Sequence, residues 1–212
     1  MTATSTIREG CNCATEAILA AAEELFAKQG FAAVSIREIA LAAGVSKANV
    51  FHHFGTKDQL YKEVIQKIIR ASTELLDEID SGEDDYHSRL LRFNKGHLDN
   101  ILSNTQGACL LLQESLALRS GHGQQMAADL LGKQFNRLVK LISTGQQQGE
   151  IRAGLDPAMV ATLLVAANLF FFDAMPVLAH LDTVSFADDP EKFSEGVIDT
   201  LFQGISARES AT

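Results

Sequence analysis

With 212 residues, 46% of them hydrophobic and only three prolines, the chain can bury one or two cores and offers long stretches that nothing breaks. No segment sustains the alternation of a strand, so an all-α fold is favoured over a sheet. The net charge of −9 and the three cysteines argue against a uniformly basic surface and against a disulfide framework.

The first residues, MTATSTIREGCNCAT, are small, polar and unpatterned, and residues 1–14 are expected to form a flexible arm. They lack the apolar run of a secretory leader, and a reducing cytoplasm is the natural setting for the unpaired thiols. Cys11 and Cys13 are close in sequence, but no third or fourth ligand stands near them. No bound metal or cofactor is expected. A thiol- or metal-responsive role for Cys11, Cys13 or Cys109 is the alternative to a small-molecule response.

From Thr15, the positions Ile18, Ala21, Ala22, Leu25 and Phe26 form one helical stripe, and Gly30 closes that helix. Ser35 and Glu38 have the spacing of a capping box, so a second helix starts at Ile36 with Ile36, Ile39, Ala40 and Ala43 inward. Gly44 ends it, Val45 plugs the turn and Ser46 caps a third helix after only a few residues. On that helix Val50 and Phe54 fall on one side, while Ala48, Asn49 and His52 fall on the other, flanked by Lys47 and Phe51. A small residue, an amide, an imidazole and a cation suit base edges and phosphates better than a core. Thr56 and Gln59 make another capping box, and Lys57 in the next turn is placed to meet a phosphate.

The stretch IREIALAAGVSKANVFHHFGTKDQL resembles the DNA-binding domain of the TetR family of bacterial transcriptional regulators, with similarity over roughly residues 17–65. The resemblance implies a three-helix, helix-turn-helix head followed by a larger helical body that dimerises and binds a small-molecule effector. It also implies DNA contacts from Ser35, Lys47, Ala48, Asn49, Phe51, His52 and Lys57. The family usually has tyrosine where this chain has Phe51, so a phenol hydroxyl is missing there, and His52 and His53 are candidates to supply polar contact instead.

The charge is distributed as a DNA-binding head requires. Residues 1–57 hold five Lys or Arg and five Glu, so the whole charge of −9 falls on the remainder. An acidic body turns away from DNA and orients the neutral head toward it.

Domains are therefore expected at 15–61 for DNA binding and 62–212 for ligand binding and dimerisation. The helix opening at Thr56 should run to Asp80, with a loop over residues 81–85. Helices are then expected near 86–103, 107–119, 124–148, 157–178 and 190–205. The segment MVATLLVAANLFFFDAMPVL is apolar nearly all round, but Asn168, Asp173 and Pro176 interrupt it and acidic residues flank it, so no membrane partner is expected. A second subunit is the natural cover, through Leu164 together with Phe193, Val197, Leu201 and Phe202 of the last helix. Two recognition helices would then meet a palindromic operator roughly one DNA turn apart.

Polar residues among apolar neighbours suggest a greasy ligand pocket lined by Phe93, His97, Leu110, Gln113, Glu114, Asn168, Phe171 and Phe172, with Asn94 nearby. No zinc pair, nucleophile elbow, phosphate-cradling loop or catalytic carboxylate pair is present, so the chain is not expected to be an enzyme. The expected role is a repressor that binds operator DNA as a homodimer and is released by an apolar small-molecule effector.

Overall fold

A computed structural model describes residues 3–117 and 124–205, with side chains described for 13–113 and 129–204. Cys11 and Glu114 lie outside the described side chains. The helices are α1 (Ala3–Ala33), α2 (Ile36–Ala42), α3 (Lys47–Phe54), α4 (Lys57–Ser81), α5 (Tyr86–Ser103), α6 (Thr105–Ala117), α7 (Gln124–Gln147), α8 (Pro157–Leu178) and α9 (Pro190–Ile205). Two compact units form, one from Met1–Ile69 with Asn104–Leu130, the other from Arg70–Ser103 with Leu131–Thr212.

The arm expected over residues 1–14 is instead helical from Ala3, since a stretch without proline continues the helix that follows it. Gly30 does close this helix: at φ 77° and ψ 161° it takes a conformation a side chain would resist, and one further turn follows it. In unit 1, Ile18, Ala22 and Phe26 of α1 pack against Ile39, Val50, Phe54, Leu60 and Val64 from α2, α3 and α4. Leu110 of α6 joins the same core, which is why residues beyond the helix-turn-helix belong to this unit. A polar junction reinforces it. The Glu23 carboxylate, 5% exposed, accepts from Lys67 Nζ at 2.8 Å and from Asn104 Nδ2 at 2.7 Å, and Asn104 Oδ1 in turn accepts from the Gly107 amide at the start of α6.

Unit 2 packs α5, α7, α8, α9 and the later part of α4 around Leu76, Ile79, Tyr86, Leu90, Leu138, Ile142, Leu164 and Ile198. Gly145 permits the close approach of α7: a Cβ there would lie 2.8 Å from both Tyr86 Cδ1 and Ile151 Cδ1. Arg137 on α7 bridges Asp77 and Asp80 on α4, each at 2.8 Å. Asp156 caps α8 by accepting from the Ala158 amide, with Pro157 in the first turn, where its missing N–H matters least.

α8 is long and apolar enough to cross a bilayer by length and composition, yet one of its stripes (Val160, Ala161, Leu164, Asn168, Phe171) is buried in unit 2. The opposite stripe is open. Met159, Leu163, Phe170 and Val177 are 59, 48, 65 and 65% exposed. Leu164, expected at a dimer interface, is 1% exposed within its own chain and cannot serve there.

Candidate nucleic-acid interface

The helix-turn-helix is held by caps that act over a few residues. Ser35 Oγ accepts from the Glu38 amide at 3.2 Å while Glu38 Oε2 accepts from the Ser35 amide at 2.7 Å, completing the expected box. These bonds stabilise the ionised carboxylate and hold Glu38 below the usual carboxylate pKa. At the turn, Gly44 has φ 67° and the Val45 amide donates to the Ala40 carbonyl at 2.9 Å. Ser46 Oγ then accepts from the Asn49 amide at 3.1 Å and starts α3.

α3 shows two distinct faces. Val50 and Phe54 are 1% and 4% exposed, so they anchor the helix in the unit 1 core. Lys47, Ala48, Phe51 and His52 are exposed, and Asn49 is half-buried. The Phe51 ring does not stand alone: Lys47 Nζ lies 5.6 Å from its centroid, so the aromatic face helps hold the cation that borders the helix. His53 is different from His52. It is half-buried, and its Nδ1 lies 3.2 Å from Thr15 Oγ1, so it ties α3 to α1, whereas His52, edge-on to the His53 ring, is exposed on the outer face.

At the start of α4, Thr56 Oγ1 accepts from the Gln59 amide at 3.0 Å. The reciprocal half of the expected capping box is absent, because the Gln59 side chain turns along the helix and donates to Glu63 at 3.2 Å. Lys57 is half-buried, with Nζ 4.4 Å from the Phe31 centroid, and Phe31 itself leans on Tyr61 at 4.8 Å between centroids. Burial lowers the Lys57 pKa, opposed by the charges of Asp58 and Glu38. Sequence reasoning missed the Phe31 platform, whose only signal was an aromatic residue directly after the helix-closing Gly30. Ser35, Lys47, Ala48, Asn49, Phe51, His52 and Lys57 all lie on α2, α3, α4 or their caps within unit 1.

The residues expected to line a ligand pocket divide. Phe93, His97 and Asn168 meet in unit 2, where Asn168 Nδ2 lies 3.0 Å from His97 Nδ1 and the His97 ring stacks on Phe93 at 5.4 Å, while the buried Phe171 of the same unit stacks on Phe193 at 4.4 Å. Phe172, half-buried, is the next residue of α8. Leu110 and Gln113 do not join them. Both belong to unit 1, where Leu110 is fully buried in the core and Gln113 donates to the Ala27 carbonyl at 3.0 Å. Periodicity could not separate these cases, because a polar residue beside apolar ones looks the same whichever core it enters. Cys13 and Cys109 are exposed free thiols, and among the described residues no three potential metal ligands cluster.

Residues 18–64 match the family model for bacterial regulatory proteins of the tetR family. An HTH-type transcriptional repressor of Mycobacterium tuberculosis is 52% identical over 60 residues, covering 28% of this chain and 32% of the relative. The match thus spans about a third of that relative's length. The HTH-type transcriptional regulator UidR of Escherichia coli is 28% identical over 155 residues, 70% of this chain and 74% of the relative. Among solved structures, a Clostridium perfringens fatty acid metabolism regulator superposes with a TM-score of 0.74 at 19% identity, over 86% of this chain and 97% of that one. These relatives and fold neighbours are regulators rather than enzymes. With its capped helix-turn-helix and its all-helical architecture, the chain carries over residues 18–64 the segment described for bacterial regulatory proteins of the tetR family.

Proposed function

We propose that the protein is a transcriptional repressor that binds a palindromic operator as a homodimer and is released by a small-molecule effector held in unit 2. The observation that carries the DNA-binding part is the two-faced α3, anchored by Val50 and Phe54 and presenting Lys47, Ala48, Phe51 and His52 outward. Ser35 and the half-buried Lys57 flank it at two helix starts, where amides and a cation suit phosphates. Phe51 contributes apolar contact to a thymine methyl or a sugar, and Asn49 and His52 read base edges.

Dimerisation is supported by the open stripe Met159, Leu163, Phe170 and Val177 on α8. In the α9 part of the expected interface, Val197, Leu201 and Phe202 are partly buried against unit 2's own core and Phe193 stacks on Phe171, so the larger free area is on α8. Two such stripes pack across a two-fold axis with the remaining α9 surface as rim. The effector acts by linkage: it weakens operator binding only by the ratio of its affinities for the free and the DNA-bound arrangements. α4 contributes residues to both units and is the element both binding events would bias. The fatty acid metabolism regulator among the fold neighbours and the Phe-rich surroundings of Asn168 both favour an apolar effector. Regulation of transcription places the protein in the cytoplasm, with its operator.

Selection of bound duplexes from a random pool tests this reading. A palindrome enriched by the dimer, and present near the chain's own coding region, is the expected result. No preference for any duplex at low ionic strength would refute it.

A further inference from the structure

Unit 2 keeps uncharged polar side chains where its core would otherwise be apolar. Asn94 on α5, Asn168 on α8 and Ser194 on α9 are 0, 0 and 1% exposed. Their amide nitrogens are used: Asn94 Nδ2 donates to the Ser194 carbonyl at 3.3 Å, and Asn168 Nδ2 donates to the Asn94 carbonyl at 3.0 Å. Because a carbonyl demands a donor, the nitrogen of Asn168 is assigned there, and its second hydrogen meets His97 Nδ1 at 3.0 Å. His97 therefore carries its ring proton on Nε2. The oxygens are left over. Asn94 Oδ1, Asn168 Oδ1 and Ser194 Oγ have no hydrogen-bond partner although all three are buried. A buried acceptor left unpaired is destabilising, and three on three different helices are unusual for a core that serves only packing.

His97 gives the cluster a boundary. Its ring is enclosed by protein, and burial lowers its pKa to about 4, yet the residue retains some accessible surface. The neighbourhood is aromatic: Phe93 stacks on His97, and Phe171, one turn from Asn168, stacks on Phe193, the residue before Ser194.

We propose, resting on the reading of unit 2 as the effector-binding part, that these oxygens receive the head of an uncharged apolar molecule bearing a hydroxyl. The hydroxyl donates to Asn94 Oδ1 or Asn168 Oδ1 and accepts from the Ser194 hydroxyl. A carboxylate does not suit the site. It would face two carbonyl lone-pair sets without a cation, since Lys95 is engaged by Glu191 and Glu195, both at 2.8 Å and both more than half exposed. An ammonium does not suit it either, because those two carboxylates are held by Lys95, and Asp99 and Asp173 are exposed.

The full chain should be titrated calorimetrically at neutral pH with 1-octanol, octanoate and octylammonium, which share a tail and differ in the head. Octanol is expected to bind and raise the melting temperature, with the two ions weaker by about tenfold or more. Ser194→Ala, a mild change, should weaken octanol by about fivefold, and Asn94→Leu by at least as much, with circular dichroism unchanged. Equal binding of all three probes, octanol binding indifferent to both substitutions, or no octanol binding at all would overturn the proposal; the last would leave the cluster to structural water. Operator release is read separately, by anisotropy of a selected duplex. Octanol that binds through Ser194 and Asn94 without loosening DNA would keep the site and refute the effector reading. Release by octanoate alone would do the reverse.

Discussion

The helix-turn-helix of unit 1 and the core of unit 2 treat polar side chains in opposite ways. In the helix-turn-helix the informative ones lie outside or at helix ends, and their capping bonds are short in sequence: Ser35 with Glu38, Ser46 with Asn49, Thr56 with Gln59; the buried Glu23 junction with Lys67 and Asn104 lies outside it. In unit 2 they lie inside, and their bonds join distant helices, as Asn168 to Asn94 and Asn94 to Ser194. A surface that meets a polyanion must keep its groups hydrated and ready, so its geometry is set by local caps on a small rigid core. A site for a small molecule must exclude water, so its groups are brought together by packing.

The comparison breaks most visibly if the open stripe on α8 is not an interface. Phe170→Asp, at a position 65% exposed in the single chain, should leave folding intact and give a monomer by light scattering. Operator affinity should then fall by on the order of a thousandfold, because two linked heads become one. An unchanged dimer would move the interface elsewhere.

The next effect belongs to unit 2. His97 has a folded pKa of about 4 against 6.5 for the free side chain. The folded value is the lower one, so the unfolded chain takes up a proton first as pH falls. Stability from this group is thus fully present above the free value and declines through the window between the two. The loss is at most about 3 kcal/mol, and smaller to the extent that the ring stays accessible. Urea melts across that range should show the slope, and His97→Gln should flatten it.

In unit 1 the effects should fall on binding instead. Lys47→Ala and His52→Ala should each weaken operator binding roughly tenfold without lowering the melting temperature. The lysine change should also reduce the salt slope by about one ion, whereas the histidine change should relax sequence preference. If both altered only stability, α3 would be a packing helix. Smallest of all, Ser46→Ala should lower stability by about 1 kcal/mol through the lost cap, and Ser46→Asp should restore most of it.

Much of unit 1 was legible in the chain because its signals are near neighbours. Capping residues, Gly30, Gly44 and the split face of α3 are all decided within one or two turns. The exceptions come from contacts across the unit. His53 turned to Thr15, Lys57 settled over Phe31, and Gln59 chose Glu63 over its own helix start. In unit 2 the helix spans could be read, but not the choice of face. α8 is apolar nearly all round, so nothing in its pattern said that Leu164 would be buried and Phe170 exposed.

By itself, the order of residues determined where the capped helices α2 and α3 begin and end, and that α3 would carry a polar outer face, since caps, glycines and periodicity act over distances the chain sets directly; it did not give the start of α1 at Ala3. Tertiary structure alone decided which of two apolar stripes on α8 entered the core, and that Asn94, Asn168 and Ser194 would meet while Leu110 and Gln113 would not. Burial is a property of what lies opposite, and residues seventy or a hundred positions apart become neighbours only when helices pack.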